Sequence, residues 1–180
     1  DGMHAADITL TGVEVDGNAA IGDPENGLAL IERVVDEART AMCAEAVGAM
    51  DESLKATVEY LKTRKQFGVA IGSFQTLQHR AADMFVALEQ ARSMSMFATM
   101  AADFESATDR ATAVAAAKVQ IGKSGKFIGQ QSIQLHGGVG MTQEFKIGHY
   151  FKRFTAMETM FGDTDHHLAV LARAGGLIRV

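Results

Sequence analysis

Several things are nearly missing from this chain, and each absence narrows what it can be. There is one proline, Pro24, among 180 residues. Proline removes a backbone donor and clashes with the turn before it, so the chain beyond Pro24 is free to form long unbroken helices. There is one cysteine, Cys43, which excludes an internal disulfide framework and makes an intracellular, cytoplasmic setting the expectation. No stretch approaches the roughly 18 consecutive apolar residues of a membrane span, and no signal-peptide pattern opens the sequence. No membrane partner is therefore expected. Nor is there a basic run: 17 lysines and arginines are interspersed with 22 acids for a net charge of −5, so a nucleic-acid partner is set aside. An initiator methionine is also missing from Asp1-Gly2-Met3, and a fragment or processed product is the expectation.

What is present is enough for one compact domain. Hydrophobic residues make up 47% of the chain, and its length suits a single core. Cys43 lies in an alanine-rich helical pattern and reads as buried filler. Residues 6–22 alternate apolar Ile8, Leu10, Val13 and Val15 with polar residues, which reads as one or two short strands with turns near Thr11-Gly12 and at Asp16-Gly17-Asn18. Asp23-Pro24 is a helix start, with Asp23 as cap and proline at a position whose N–H has no intrahelical partner.

Helices are expected over 24–66, 72–104, 108–135, 144–158 and 164–175. The first carries Leu28, Ile31, Val35, Met42, Ala46, Met50, Leu54, Val58 and Leu61 at helical spacing, the second Phe74, Leu77, Met84, Leu88, Ala91 and Met94. Gly122, Gly125 and Gly129 lie inside the third. An interior glycine costs roughly 1 kcal/mol against alanine, and close helix–helix approach is the expected reason for them. The expectation is a mainly α fold, an antiparallel helical bundle preceded by a short β segment.

Four segments carry candidate chemistry. Tyr60 to Gly68 closes the first helix, and Arg64 there is either a cation favouring a helix C-terminus or a planar fork for a pyrophosphate. Ser73 to His79 opens the second, where Gln75 and Gln78 could bond a ligand beside Arg64. Gln134-Leu135-His136-Gly137-Gly138-Val139-Gly140 is a glycine-rich turn after a helix. It is either a helix stop or a backbone cradle for a nucleotide, and it is neither a Walker loop nor a dinucleotide fingerprint. Asp163, Asp165, His166 and His167 match no metal-ligand spacing; a helix N-cap is the favoured reading and no metal is expected.

Taken in order, these segments resemble the acyl-CoA dehydrogenase family over almost the whole chain. Residues 1–22 look like the tail of its middle β-domain and 23–180 like its C-terminal helical bundle. Tyr60 to Gly68 is similar to the family's Y-x-x-x-R-x-x-F-G segment. Ile71 to Met84, with Phe74-Gln75 and Ala82-Asp83-Met84, resembles a family helix start. Ala117-Lys118, Gln134 to Gly140 and Thr142 resemble its A-K … Q-x-x-G-G-x-G-x-T segment. The resemblance implies FAD at a subunit interface, with Arg64, Phe67, Phe74, Gln75, Gln134, Gly137 and Gly138 supplied to the cofactor of a neighbouring subunit.

The resemblance also implies a carboxylate base for the α-proton of an acyl-CoA, at one of two places. An ungapped count puts the first on Phe161. The second lies one residue before Arg39, on Ala38. Neither residue can take a proton. The implied role is a subunit without its own base that completes the FAD site of a homologous catalytic partner, in a heterotetramer like those used in bacterial steroid side-chain degradation. Two alternatives stand beside it: an active enzyme with a displaced base, Asp163 or Glu37, and a flavin-free structural bundle.

Overall fold

The computed structural model describes residues 2–175. Five helices follow one another: α1 (Gly27–Thr63), α2 (Gln75–Ala101), α3 (Ala107–His136), α4 (Lys146–Thr159) and α5 (Thr164–Arg173). A two-residue antiparallel ladder, β1 (Lys65–Gln66) and β2 (Val69–Ala70), joins α1 to α2, with Lys65 paired to Ala70 and Gln66 to Val69. The expected mainly helical bundle is therefore what forms, with ends within a few residues of those read from the periodicity.

The expected strands in residues 6–22 do not form. The described part of that stretch is exposed and holds only a three-residue 3-10 turn at Gly17–Ala19, closed by Ala19 N–H donating to the Asp16 carbonyl at 2.9 Å. Alternating apolar residues need a neighbouring strand to accept their ladder bonds, and among the described residues none lies beside them. The turn chemistry at Asp16 was readable, whereas the missing ladder partner was not. At the helix start, Asp23 accepts from Glu25 N–H at 3.0 Å and from the Asn26 side chain at 2.7 Å.

Cross-links fix the directions of the helices. Between α1 and α3, Asp36 pairs with Arg110, Ser53 with Ser132 and Tyr60 with His136, so both numbers rise together and these helices run the same way. Between α2 and α3, Arg80 reaches Gln131 and Gln90 reaches Gln120, which makes them antiparallel. α3 is central and packs on all four other helices. Met50, Met84, Ile128 and Cys43 are fully buried at the core. Burial holds the Cys43 thiol at a pKa of about 11, as inert filler.

Helix α1 outreaches its neighbours. It has 37 residues against 27 for α2, and its first turns stay largely exposed. Leu28, Ile31 and Val34, at helical spacing, are 69%, 60% and 56% exposed. Leu28 and Ile31 were expected in the core and are not.

The glycines of α3 let α4 close in. A Cβ at Gly129 would sit 3.0 Å from the rings of both Phe151 and Phe154, and one at Gly122 would collide with the Glu158 carboxylate.

Candidate functional site

Because α1 ends, α2 begins and α3 ends on the same side, one end of the bundle gathers three of the four candidate segments. Arg64 terminates α1: its N–H donates to the Tyr60 carbonyl at 2.8 Å and its own carbonyl accepts from Ile71 at 2.8 Å. Its side chain is exposed and has no hydrogen-bond or ion-pair partner among the described residues. The hairpin that follows turns on Phe67 and Gly68, with φ of +53° and +81°. A two-residue hairpin turn with both residues left-handed matches the twist of the strands it joins. Glycine takes that conformation freely, while a bulky side chain does so at a cost. Phe67 is nevertheless 90% exposed and touches Phe74 edge-on with ring centroids 6.1 Å apart.

The N-terminus of α2 lies beside this pair. Gln75 is exposed and no hydrogen bond holds its side chain. Gln78, expected as a second ligand donor, is spent: its side chain donates to the Gly72 carbonyl at 2.8 Å and closes the turn.

The C-terminus of α3 joins the same end through an aromatic stack. The Tyr60 ring lies 4.4 Å from that of His136, and Phe145 closes on His136 at 5.0 Å. His136 is buried, and its Nδ1 donates to the Ser132 carbonyl at 2.8 Å, which leaves Nε2 a bare acceptor. Burial lowers the pKa of this imidazole and keeps it neutral. Gly137 then stops the helix with φ +63°. A Cβ on Gly137 or Gly138 would meet nothing within 4 Å, and both glycines are exposed beside an exposed Gln134. Arg64, Phe67, Phe74, Gln75, Gln134, Gly137 and Gly138 thus line one exposed end, tied together underneath by Tyr60 and His136.

The fourth segment lies elsewhere. Phe161, with φ +57°, and Gly162, with φ +101°, connect α4 to α5. The Phe161 carbonyl accepts from Arg39 Nε at 3.1 Å and from His167 Nε2 at 3.2 Å. Ala38 adjoins Arg39, so the two positions that lack a carboxylate occupy one neighbourhood. Arg39 also pairs with Asp36 at 3.1 Å, and buried Asp36 pairs on its other side with buried Arg110 at 3.3 Å. Burial, then the positive charges of Arg39 and Lys118, hold His167 at a pKa of about 4, so it donates through Nε2 as a neutral ring.

The alternative carboxylates are otherwise engaged. Asp163 accepts from His166 N–H at 2.8 Å as the cap of α5. Glu37 pairs with Arg33 at 3.2 Å on an exposed face of α1. Among the described residues no group of three or more metal-ligating side chains forms.

Sequence reading did not find Asp36 or Arg110, and it named Lys118 and His167 without foreseeing their burial; the four are 4%, 5%, 2% and 1% exposed. Charged residues are rarely buried, and nothing in the spacing marked these four as exceptions. The one available signal was the spacing of Asp36 and Arg39, three apart and hence on one helix face.

Comparison with known proteins places these features in context. Residues 25–176 match the model of the acyl-CoA dehydrogenase C-terminal domain. The probable acyl-CoA dehydrogenase YngJ of Bacillus subtilis (strain 168) is 32% identical over 172 residues, 96% of this chain and 45% of that one. Among solved structures, a Tcur3481-Tcur3483 steroid ACAD variant superimposes with TM-score 0.77 at 30% identity, over 81% of this chain and 40% of that one. A structure titled an FAD-dependent dehydrogenase gives TM-score 0.72 at 33% identity, over 79% of this chain and 38% of that one. The chain spans less than half the length of each. No helix among the described residues is long and apolar enough to cross a membrane.

Proposed function

This chain belongs to the acyl-CoA dehydrogenase family, and from that membership we propose that it is the C-terminal part of an FAD-dependent subunit that lacks its own catalytic base and completes the flavin site of a homologous partner. In this reading residues 1–22 are the tail of the middle β-domain and 23–180 the helical domain. The assembly is a heterotetramer, and its substrate is an acyl-CoA thioester dehydrogenated between the α and β carbons. A steroid-derived acyl group is the favoured class, since a structural neighbour is described as a steroid ACAD.

The observation that carries the reading is a contrast within one molecule. The bundle end keeps an exposed arginine with no partner among the described residues, a left-handed and 90% exposed Phe67, and an open glycine turn. The other neighbourhood has Phe161 and Ala38 where a carboxylate is needed, although its backbone is tightly held.

The donor set fits FAD. An arginine fork suits a pyrophosphate, in a charge-assisted contact. Exposed Phe67 and Phe74 offer aromatic faces, and glycines without a Cβ admit a close backbone approach. When bound, FAD supplies the hydride acceptor of the dehydrogenation. Within this chain Arg64 would neutralise phosphate, Gln75 and Gln134 would orient the nucleotide, and Gly137 and Gly138 would let it come close.

Purifying the protein alone and with homologous partner subunits, then reading flavin absorbance and acyl-CoA oxidation, tests this. Flavin and turnover in the mixture alone support it. Turnover by this protein alone would overturn the missing base and return attention to Asp163 and Glu37. A mixture without flavin would favour a purely structural bundle.

A further inference from the structure

The turn that carries Phe161 is held in an unusual way. A helix leaves its last four carbonyls without intrahelical partners, and water commonly satisfies them. At the end of α4 protein side chains do so instead. Lys118 Nζ donates to the Met157 carbonyl at 2.9 Å and to the Met160 carbonyl at 3.0 Å. Arg39 and His167 add their bonds to the Phe161 carbonyl. Three helices, α1, α3 and α5, thus grip one short stretch of backbone.

Lys118 is the most telling member. It is 2% exposed and heads the fully buried side chains by volume. Among the described residues no carboxylate lies within ion-pair distance of it; its two hydrogen bonds both go to this turn. Burial pushes its pKa down, outweighing the carboxylates of Glu158 and Asp163, which favour its charge only at a distance. An ammonium buried without a directly paired carboxylate is costly, and an apolar side chain of similar length is the cheaper way to fill such a space. Favourable placement near a helix C-terminus offsets part of that cost. Packing alone does not account for the choice of lysine. The Phe161 side chain, for its part, is 42% exposed.

We propose that Lys118 is a positioning residue: by holding the Met157 and Met160 carbonyls it fixes the 157–162 turn, and with it the placement of whichever side chain occupies position 161. Only the activity part of the test rests on the functional reading above.

Hydrogen exchange on the intact protein as isolated tests the proposal directly. The bonded amides at the two ends of the turn are Met160, which donates to the Ala156 carbonyl, and Thr164, which donates to the Glu158 carboxylate. In Lys118→Met both are expected to exchange on the order of tenfold faster while those of the α1–α2 core stay unchanged, as local opening without global loss. In Phe161→Ala the same two amides should be unaffected. Equal acceleration everywhere, or none at these two, would overturn the proposal. Should Lys118→Met fail to fold, Lys118→Leu, which also removes every donor, takes its place, and unchanged protection at the two amides in that variant would overturn it equally.

The activity arm uses Phe161→Glu in the flavin-loaded complex, with and without Lys118→Met. Where Phe161→Glu turns over acyl-CoA, adding Lys118→Met should lower kcat with KM unchanged; an unchanged kcat would overturn the proposal. A flavin-loaded Phe161→Glu without turnover counts against position 161 as the base position, not against Lys118, which the exchange data then decide.

Discussion

Arg39 Nε donates to the carbonyl of Phe161 across 3.1 Å, linking residues 122 apart in sequence. The contact joins the residue after Ala38 to the backbone of Phe161. The two places where the family resemblance implies a base, one found by counting from a glycine turn and one by adjacency on a helix, therefore share one neighbourhood. Neither Phe161 nor Ala38 is a carboxylate.

Arg39 also carries structural weight, because it is one of two cations on buried Asp36. Removing one partner of a buried ion pair costs about 3–5 kcal/mol when nothing replaces it. Arg110 remains on Asp36, so Arg39→Ala should cost less, about 2–3 kcal/mol. A denaturant titration should show a lower midpoint with an unchanged slope. A midpoint equal to wild type would mean that Arg110 alone satisfies Asp36.

His167 should make stability depend on pH. Its folded pKa of about 4 lies below the usual value near 6.5, because burial and then nearby positive charge disfavour the imidazolium. The unfolded chain therefore binds the extra proton first as pH falls. The contribution is fully present above pH 6.5 and is lost progressively toward pH 4. That span corresponds to at most about 3 kcal/mol. Urea midpoints taken from pH 7 to pH 4 should fall, and His167→Gln should flatten the slope. The same slope in both proteins would assign the acid sensitivity to other groups.

The glycines of α3 should separate by their surroundings. At Gly125 an added Cβ would lie 3.6 Å or more from Phe154, an ordinary contact. Gly125→Ala should stabilise by up to about 1 kcal/mol through helix propensity. At Gly122 the added methyl would run into Glu158, whose other carboxylate oxygen accepts from Thr164 N–H at 2.9 Å. Gly122→Ala should destabilise by about 1–2 kcal/mol, overpacking outweighing propensity. Thermal melts of the two variants should shift in opposite directions.

The legible part of this molecule was the part written in local chemistry. The helices followed from apolar spacing and from the confinement of proline to position 24. The caps at Asp23 and Asp163 followed from residue type, as did the stop at Gly137. The buried polar set escaped because burial of Asp36, Arg110, Lys118 and His167 depends on which helices meet, and one sequence does not say. The strand expectation for residues 6–22 failed for a related reason: alternation marks a face that could pair, and pairing needs a partner. In the candidate site, Arg64 and the glycine turn were readable as motifs. Their convergence on one end needed the Tyr60–His136 stack, which no spacing rule announces.

Arg64 offers the most direct test of the flavin role, because its side chain has no structural work among the described residues. A charge-assisted hydrogen bond is worth about 1.5–3 kcal/mol, or roughly 10- to 100-fold in affinity. Arg64→Ala should therefore leave the melting temperature of the flavin-free protein unchanged while FAD retention in the complex falls by about that factor. Arg64→Lys should recover only part of it, since a point charge does not reproduce the fork. Raising salt should weaken FAD retention more in wild type than in Arg64→Ala if the contact is exposed and electrostatic. Equal retention by all three proteins would remove Arg64 from the flavin surface, and the proposed role of the bundle end would then rest on Phe67, Phe74 and the Gln134–Gly138 turn alone.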